Sequence, residues 1–277
     1  MADFWTWWHE IPYHMNPVLV QIGGLKIHYY GVMYLVAALV VFSLLSYRIK
    51  TEKNTPIRNT NQLADIMLVV LIGMLIGARL GDVFFYNFSY FIQHPLEIFL
   101  PIRKIRGAYA FVGFSGMSYH GGVIGVAVAA WLYARKKKIS LVALADFAAP
   151  AIPLAYMFGR IGNFINGELY GRVTTANIGT YFPLSAEHVL RHPSQLYEAF
   201  GEGLLLFLIL WPLRKKNLPT GSLAAIYLFG YGFVRFIIEF FREPETYTLR
   251  IPTGQFLCVC MMAVGILFWV WARRQNR

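Results

Sequence analysis

The chain has 277 residues, 57% of them hydrophobic and 14% charged, with a formal net charge of +11. That leaves too little polar surface to clothe a soluble globule of this length, which excludes soluble enzymes and disordered chains and makes this an integral membrane protein. The basic excess reads first as a topology signal and as contact with anionic headgroups. Its clusters are short and scattered and lack the aromatic or groove-reading surroundings of a nucleic-acid face, so no nucleic acid partner is expected.

Met1 to Asn16 carries Trp5, Trp7, Trp8, His9 and Tyr13 without a basic n-region or a small-residue cleavage site. It reads as an interfacial aromatic anchor and not as a signal peptide. Apolar runs of membrane length, roughly 17–25 residues each, follow near residues 28–47, 63–86, 119–134, 141–159, 197–213, 221–241 and 254–272. The fourth and fifth are the least clean, because Asp146 interrupts one and Glu198 with Glu202 opens the other. The expected architecture is therefore an all-α integral membrane protein of about seven transmembrane helices. No linker or internal repeat divides it, so residues 1–277 are read as one membrane-embedded domain with a small outward-facing head segment at about 160–195.

Basic residues set orientation. Arg48, Lys50, Lys53 and Arg58 follow the first run, Arg135 to Lys138 the third, Arg214 to Lys216 the fifth, and Arg273, Arg274 and Arg277 the last. Clusters after alternate runs predict an outside N-terminus and a cytoplasmic C-terminus, with the segment from Arg160 to Arg191 facing outward; Arg103, Lys104 and Arg106 run against this pattern. The two cysteines, Cys258 and Cys260, lie inside the last run on diverging helix faces. They predict buried packing and no disulfide.

Four polar constellations interrupt the apolar background. Gly73, Gly77 and Gly81 line one helix face and predict close approach of a neighbouring helix. In the same run Arg79 and Asp82 are three apart, which suits either a stabilising pair or a functional arginine. His120 stands between Ser118-Tyr119 and Gly121-Gly122 at a helix entrance, either simply solvated or a proton acceptor that a substrate can approach closely. The segment from Phe158 to Arg172 reads Phe-Gly-Arg-Ile-Gly-Asn-Phe-Ile-Asn-Gly-Glu-Leu-Tyr-Gly-Arg. If helicity persists, Arg160, Asn163 and Gly167 share one side of a helix. A guanidinium there grips either a substrate phosphate or lipid headgroups, and headgroup contact leaves Asn163, Asn166 and Glu168 unexplained. Finally, Tyr231, Arg235, Glu239 and Arg242 form a stripe on an apolar helix. Arg235 with Glu239 is either a packing pair or part of an anion site that two arginines around one glutamate leave net positive.

The segment Gly113-Phe114-Ser115-Gly116 lacks the spacing of a serine nucleophile elbow, and no metal-ligand spacing or phosphate loop occurs, so no metal or other cofactor is expected. The gathered arginines with one candidate base suit phosphate binding. A membrane transporter or channel for an anionic solute would want similar arginines, but predicts repeat symmetry or a continuous polar path. A metal-dependent phosphatidyl-group transferase would want an aspartate cluster, whereas Asp65, Asp82 and Asp146 are dispersed.

The motifs Gly159-Arg160-Ile161-Gly162-Asn163-Phe164-Ile165-Asn166-Gly167-Glu168, Met117-Ser118-Tyr119-His120-Gly121-Gly122 and Arg191-His192-Pro193-Ser194-Gln195-Leu196-Tyr197-Glu198 together resemble bacterial phosphatidylglycerol:prolipoprotein diacylglyceryl transferases. So do His28 to Tyr34 and Tyr231 to Arg242, in the same order, and the likeness runs from about residue 16 to near the end. The resemblance implies a seven-helix inner-membrane enzyme. Its partners would be phosphatidylglycerol and prolipoprotein signal peptides with a lipobox cysteine, whose thiol receives the diacylglyceryl group as glycerol 1-phosphate leaves. It marks Tyr30, His120, Arg160, Asn163, Glu168, Arg235 and Glu239 as functional positions, with His120 as base or lipid-positioning group and Arg160 and Arg235 as phosphate clamps. Asn163, Asn166, Gly167, Glu168, Tyr231 and Arg242 are the expected substrate-binding residues. Departures from the family pattern are Ser115-Gly116 in place of two glycines, Asp82 in place of an aromatic residue, a long stretch from Phe88 to Gly113 and a short one between Arg172 and Arg191.

Overall fold

The computed structural model describes residues 4–23, 25–98, 102–105, 108–111, 116–244 and 246–275. Its helices are α1 (Phe4–His14), α2 (Tyr29–Thr51), α3 (Thr60–Phe85), α4 (Phe88–Gln93), α5 (Tyr119–Lys137), α6 (Leu141–Ala148), α7 (Ile152–Ile165), α8 (Ser194–Glu198), α9 (Leu206–Leu213), α10 (Ser222–Ile238) and α11 (Thr253–Gln275). A π-helical turn, Ala199–Leu205, runs between α8 and α9. Three antiparallel hairpins complete the described chain: β1 (Val18–Ile22) with β2 (Leu25–His28), β3 (Ile102–Ile105) with β4 (Ala108–Phe111), and β5 (Tyr247–Thr248) with β6 (Ile251–Pro252).

This is an all-α membrane protein, with helix at each of the predicted apolar stretches. Among the described residues, four helical runs can cross a bilayer by length and composition, namely α2, α3, Ser194–Leu213 and α11, and α6 with α7 makes a fifth if that pair is one span. The pair is bent by 56°. Pro150 and Pro153 stand at the break, where a missing N–H and a ring clash end a helix. Helix α10 is apolar but only 17 residues long.

The chain forms two compact units, residues 53–144 and residues 1–52 with 145–277. In the first, the glycine face of α3 meets Gly121, Gly125 and Ala129 of α5. A Cβ on Gly77 would run into the Gly121 carbonyl, and one on Gly125 into the Gly73 carbonyl. Backbone meets backbone, as the four-residue glycine spacing predicts. The Ser118 N–H donates to the Ala78 carbonyl at 2.9 Å and the Ser118 hydroxyl accepts from the Gly121 N–H at 3.2 Å, which starts α5 against α3. Arg79 lies 3.9 Å from Asp82 and also clamps loop backbone, donating to the carbonyls of Ile98, Glu97 and Gly116. Asp82 accepts from the Asn87 amide at 3.0 Å, and a Cβ on Gly116 would strike its carboxylate. The carboxylate therefore belongs with the small residue at 116. Arg106 and the stretch from 112 to 115 lie outside the described residues.

In the second unit, α2 packs on α7 and α10 on α11. Asp146, which interrupts the fourth predicted run, caps α10 from a distance: its carboxylate accepts from the Gly221 N–H at 2.6 Å and the Ala224 N–H at 2.8 Å, satisfying donors that a helix start leaves open. Arg48 is buried, donates to the Phe147 carbonyl at 2.5 Å and pairs with Glu52 at 2.7 Å. Arg214 reaches the same glutamate at 3.7 Å with its side chain 3% exposed. These two cations are structural ties, so the headgroup role expected of the basic clusters does not extend to them. Cys258 is buried as expected, but Cys260 is exposed, because residues two apart on a helix point about 200° apart. Both are free thiols.

Gly77→Val should push α3 off α5 and lower stability by about 1–3 kcal/mol, the usual cost of overpacking. Thermal unfolding in detergent measures it. Gly31→Ala inside α2, where an added Cβ meets nothing within 4 Å, should leave the transition unchanged or raise it slightly, since alanine favours helix over glycine.

Candidate functional site

Glutamates 198 and 202 are both completely buried, one at the end of α8 and the other in the π turn. Carboxylates in such surroundings need partners, because removing a charge from water costs several kcal/mol. Glu198 has three. Arg160 Nε lies 2.7 Å from its Oε2, Arg235 Nη1 2.9 Å from the same oxygen, and Arg242 Nη1 2.5 Å from Oε1. The Tyr156 hydroxyl donates to Oε2 at 3.1 Å, and the Tyr156 ring lies under the Arg160 guanidinium at 4.8 Å.

Two further glutamates complete the cluster. Glu202 Oε1 is 3.5 Å from Arg235 Nη1, and Glu239 Oε2 is 3.2 Å from Arg235 Nε and 3.7 Å from Arg242 Nε. The stripe of Tyr231, Arg235, Glu239 and Arg242 survives although α10 ends at Ile238, because Glu239 keeps helical backbone angles as its cap. The expectation of a net positive site counted only Arg235, Arg242 and Glu239. Folding adds Arg160 together with Glu198 and Glu202, so the formal charges of the ion-paired groups balance. The arginine side chains keep 13–18% of their surface exposed. Their spare N–H groups are what remains for an anionic ligand.

The glycine-punctured segment begins on α7, close beside α2: a Cβ on Gly162 would lie 3.4 Å from the Tyr30 ring. The Tyr30 and Tyr34 hydroxyls are 2.9 Å apart. Arg160 Nη1 donates to the Asn163 side-chain oxygen at 3.3 Å, and the amides of Asn163 and Asn166 donate to Glu168 Oε1 at 2.9 and 3.3 Å. Gly167 is not on the helix face with Arg160 and Asn163. The helix ends at Ile165, and Gly167, at φ +69°, stands just beyond its Asn166 cap. Its N–H donates to the Phe164 carbonyl at 3.0 Å and the Glu168 N–H to the Asn163 carbonyl at 3.1 Å, the pair of bonds by which a left-handed glycine terminates a helix. This turn brings Glu168 back over the asparagines.

Beyond it, the chain is laced to the end of α10. Gly171 N–H donates to the His192 carbonyl and Arg172 N–H to the Phe241 carbonyl, both at 2.8 Å, while the Arg172 guanidinium holds the Arg242 carbonyl at 2.6 Å. Burial against Tyr197 and Phe241 holds the His192 imidazole below the usual histidine range. Helix α1 is fastened to the same region: the Trp8 indole donates to the Ile178 carbonyl at 2.9 Å, and the Tyr181 N–H to the His9 carbonyl at 2.8 Å.

Tyr30, Arg160, Asn163, Asn166, Gly167, Glu168, Tyr231, Arg235, Glu239 and Arg242 thus all belong to one unit. His120 belongs to the other, exposed in the first turn of α5. Sequence reasoning passed over Tyr156, Glu198, Glu202 and Gly171. The available signal was two acidic residues four apart inside an apolar run, which is costly unless cations meet them.

Residues 17–271 match the family model described as prolipoprotein diacylglyceryl transferase. Curated relatives bear the name phosphatidylglycerol-prolipoprotein diacylglyceryl transferase. One from Chlorobaculum tepidum is 50% identical over 99% of this chain and 96% of its own length. Others from Bordetella avium and Paracidovorax citrulli are 43% and 40% identical, each over 95% of this chain and 97% of its own length.

The two glycines of the polar segment should respond differently to alanine. At Gly167 the added Cβ meets only a proline side-chain atom at 3.5 Å, so Gly167→Ala should cost about 1 kcal/mol of left-handed strain. At Gly171 it would strike the Phe241 carbonyl and come within 3.0 Å of His192 backbone. Gly171→Ala should therefore lower the detergent unfolding temperature by clearly more than Gly167→Ala does.

Proposed function

The chain belongs to the prolipoprotein diacylglyceryl transferase family, and on that premise we propose that it moves the diacylglyceryl group of phosphatidylglycerol onto the lipobox cysteine thiol of a prolipoprotein. The thiolate sulfur forms a bond to the glycerol carbon, the carbon–oxygen bond to phosphate breaks, and glycerol 1-phosphate leaves. A thioether remains on the prolipoprotein. This is the first step of lipoprotein maturation, carried out by a multi-pass protein of the bacterial inner membrane with its N-terminus and the head segment at about 160–195 facing outward. The whole chain acts as one membrane-embedded transferase domain.

The observation that carries this reading is the gathering of Arg160, Arg235 and Arg242 in an apolar surround with part of each arginine side chain still exposed. The leaving group is a phosphate monoester whose charge grows as the bond breaks. Fixed guanidiniums aimed at that charge stabilise the transition state more than the ground state. Arg160 and Arg235 are the clamps, with Arg242, Tyr231 and Glu239 completing the wall. Asn163, Asn166, Gly167 and Glu168 shape the glycerol side of the site, and Tyr30 closes it from α2. The thiol, with a pKa near ~8.5, must lose its proton, and His120 is assigned either that task or the positioning of lipid. The anion-transporter alternative is less well supported, because the buried charges described here gather into one ion-paired cluster and are not strung along a polar path.

Purified protein incubated with phosphatidylglycerol and a lipobox-cysteine peptide should release glycerol phosphate and yield a peptide heavier by one diacylglyceryl group in mass spectrometry. No release from folded protein with intact peptide would overturn the transferase reading. Arg160→Ala and Arg235→Ala should each lower kcat by roughly 100- to 1,000-fold, the cost of losing one fixed transition-state donor.

A further inference from the structure

We infer that Glu198 is the positioning residue of this site, a buried carboxylate that aims all three arginines at one place. The inference rests on the diacylglyceryl transfer reading and adds a residue to it.

A guanidinium on a flexible stem has many rotamers, and a clamp that acts only in the transition state has to be aimed before charge develops. Arg160 comes from α7, Arg235 from α10 and Arg242 from beyond the end of α10. Glu198 is the carboxylate that touches all three, at 2.7, 2.9 and 2.5 Å. Its contacts use Nε of Arg160 and one terminal nitrogen each of Arg235 and Arg242. Arg160 Nη1 goes to Asn163 and the Nε atoms of Arg235 and Arg242 face Glu239, so each guanidinium keeps one terminal nitrogen that none of these contacts engages.

The hub is itself immobilised. Glu198 has no exposed surface, ends α8 and enters the π turn at Ala199. π turns inside helices recur at functional sites. Here the residue one turn on, Glu202, faces the same Arg235 at 3.5 Å. The start of α8 is pinned as well: the Gln195 amide donates to the Glu168 carbonyl at 2.5 Å and the Ser194 hydroxyl to the Leu169 carbonyl at 3.1 Å. One short helix thus ties the arginine cluster to the chain that carries Asn163, Asn166 and Glu168.

The test compares wild type, Glu198→Gln and Glu198→Asp for kcat, KM for phosphatidylglycerol, and thermal unfolding in detergent. Loss of aim should lower kcat by about 100-fold in Glu198→Gln with KM changed less than about fivefold, the pattern of an interaction realised in the transition state. Glu198→Asp, which keeps the charge on a shorter stem, should fall between the two. Wild-type kcat in folded Glu198→Gln, or a loss confined to KM, would overturn the inference. If Glu198→Gln does not fold, wild-type kcat in Glu198→Asp does so. Should wild type itself form no product, the transferase reading is what fails, and arginine placement is then read by thermal shift with glycerol 1-phosphate. Stabilisation of wild type but not of the Glu198 variant supports the positioning role; equal shifts in both refute it.

Discussion

A single carboxylate buried among three guanidiniums constrains much of the larger unit. Glu198 has no solvent to fall back on, and in a low-dielectric surround an isolated carboxylate is so costly that it must be compensated. Compensation here requires α7, α8 and the end of α10 to meet at one point, since Arg160 comes from α7 while Arg235 and Arg242 come from the end of α10 and just beyond it. Removing one partner from a buried ion cluster typically costs 3–5 kcal/mol, because the others are left uncompensated. The cluster therefore works less as a source of net stability than as a specification of how these segments pack.

The surrounding backbone is arranged so that the specification can be met. The left-handed Gly167 reverses the chain after α7 and returns Glu168 to Asn163. Gly171 then lies against Phe241 and His192 where a side chain would not fit. At the far end of α10, Asp146 takes the open N–H groups of the first turn. Helix α10 is thus held at both ends by residues from distant parts of the sequence, and the arginine-bearing face between has little freedom to rotate.

Several of these features were legible in the sequence. The apolar runs follow from local composition, and the glycine face of α3 and the arginine-rich stripe from periodicity, because each depends on neighbours a few residues apart. The bend between α6 and α7 was not anticipated, because residues 141–159 read as one apolar run although Pro150 and Pro153 stand within it. Glu198 and Glu202 were visible only as blemishes in a span, since what makes them tolerable is a set of cations 33 to 44 positions away in the chain. Gly167 was misplaced because a four-residue spacing was carried past the end of its helix; Asn166-Gly167 is itself a stop signal. An apolar run predicts packing for Cys260 as for Cys258, but two residues along a helix suffice to reverse the direction of a side chain, and Cys260 is exposed.

The balanced charge of the cluster bears on how a phosphate site can turn over. An uncompensated group of three arginines in an apolar cavity would bind phosphate strongly, substrate and product alike, and uniform binding of that kind lowers KM without raising kcat. With Glu198, Glu202 and Glu239 interleaved, the resting cations are already neutralised at close range and their pull on a phosphodiester with a single negative charge is reduced. A leaving phosphate monoester develops a second charge. On the proposed reading, guanidinium nitrogens that the carboxylates leave unengaged meet that increment without having to reorganise. In the diacylglyceryl transfer reading, the glutamates therefore separate two demands that bare arginines would merge: holding the lipid loosely enough to exchange it, and meeting the departing phosphate with donors already in place.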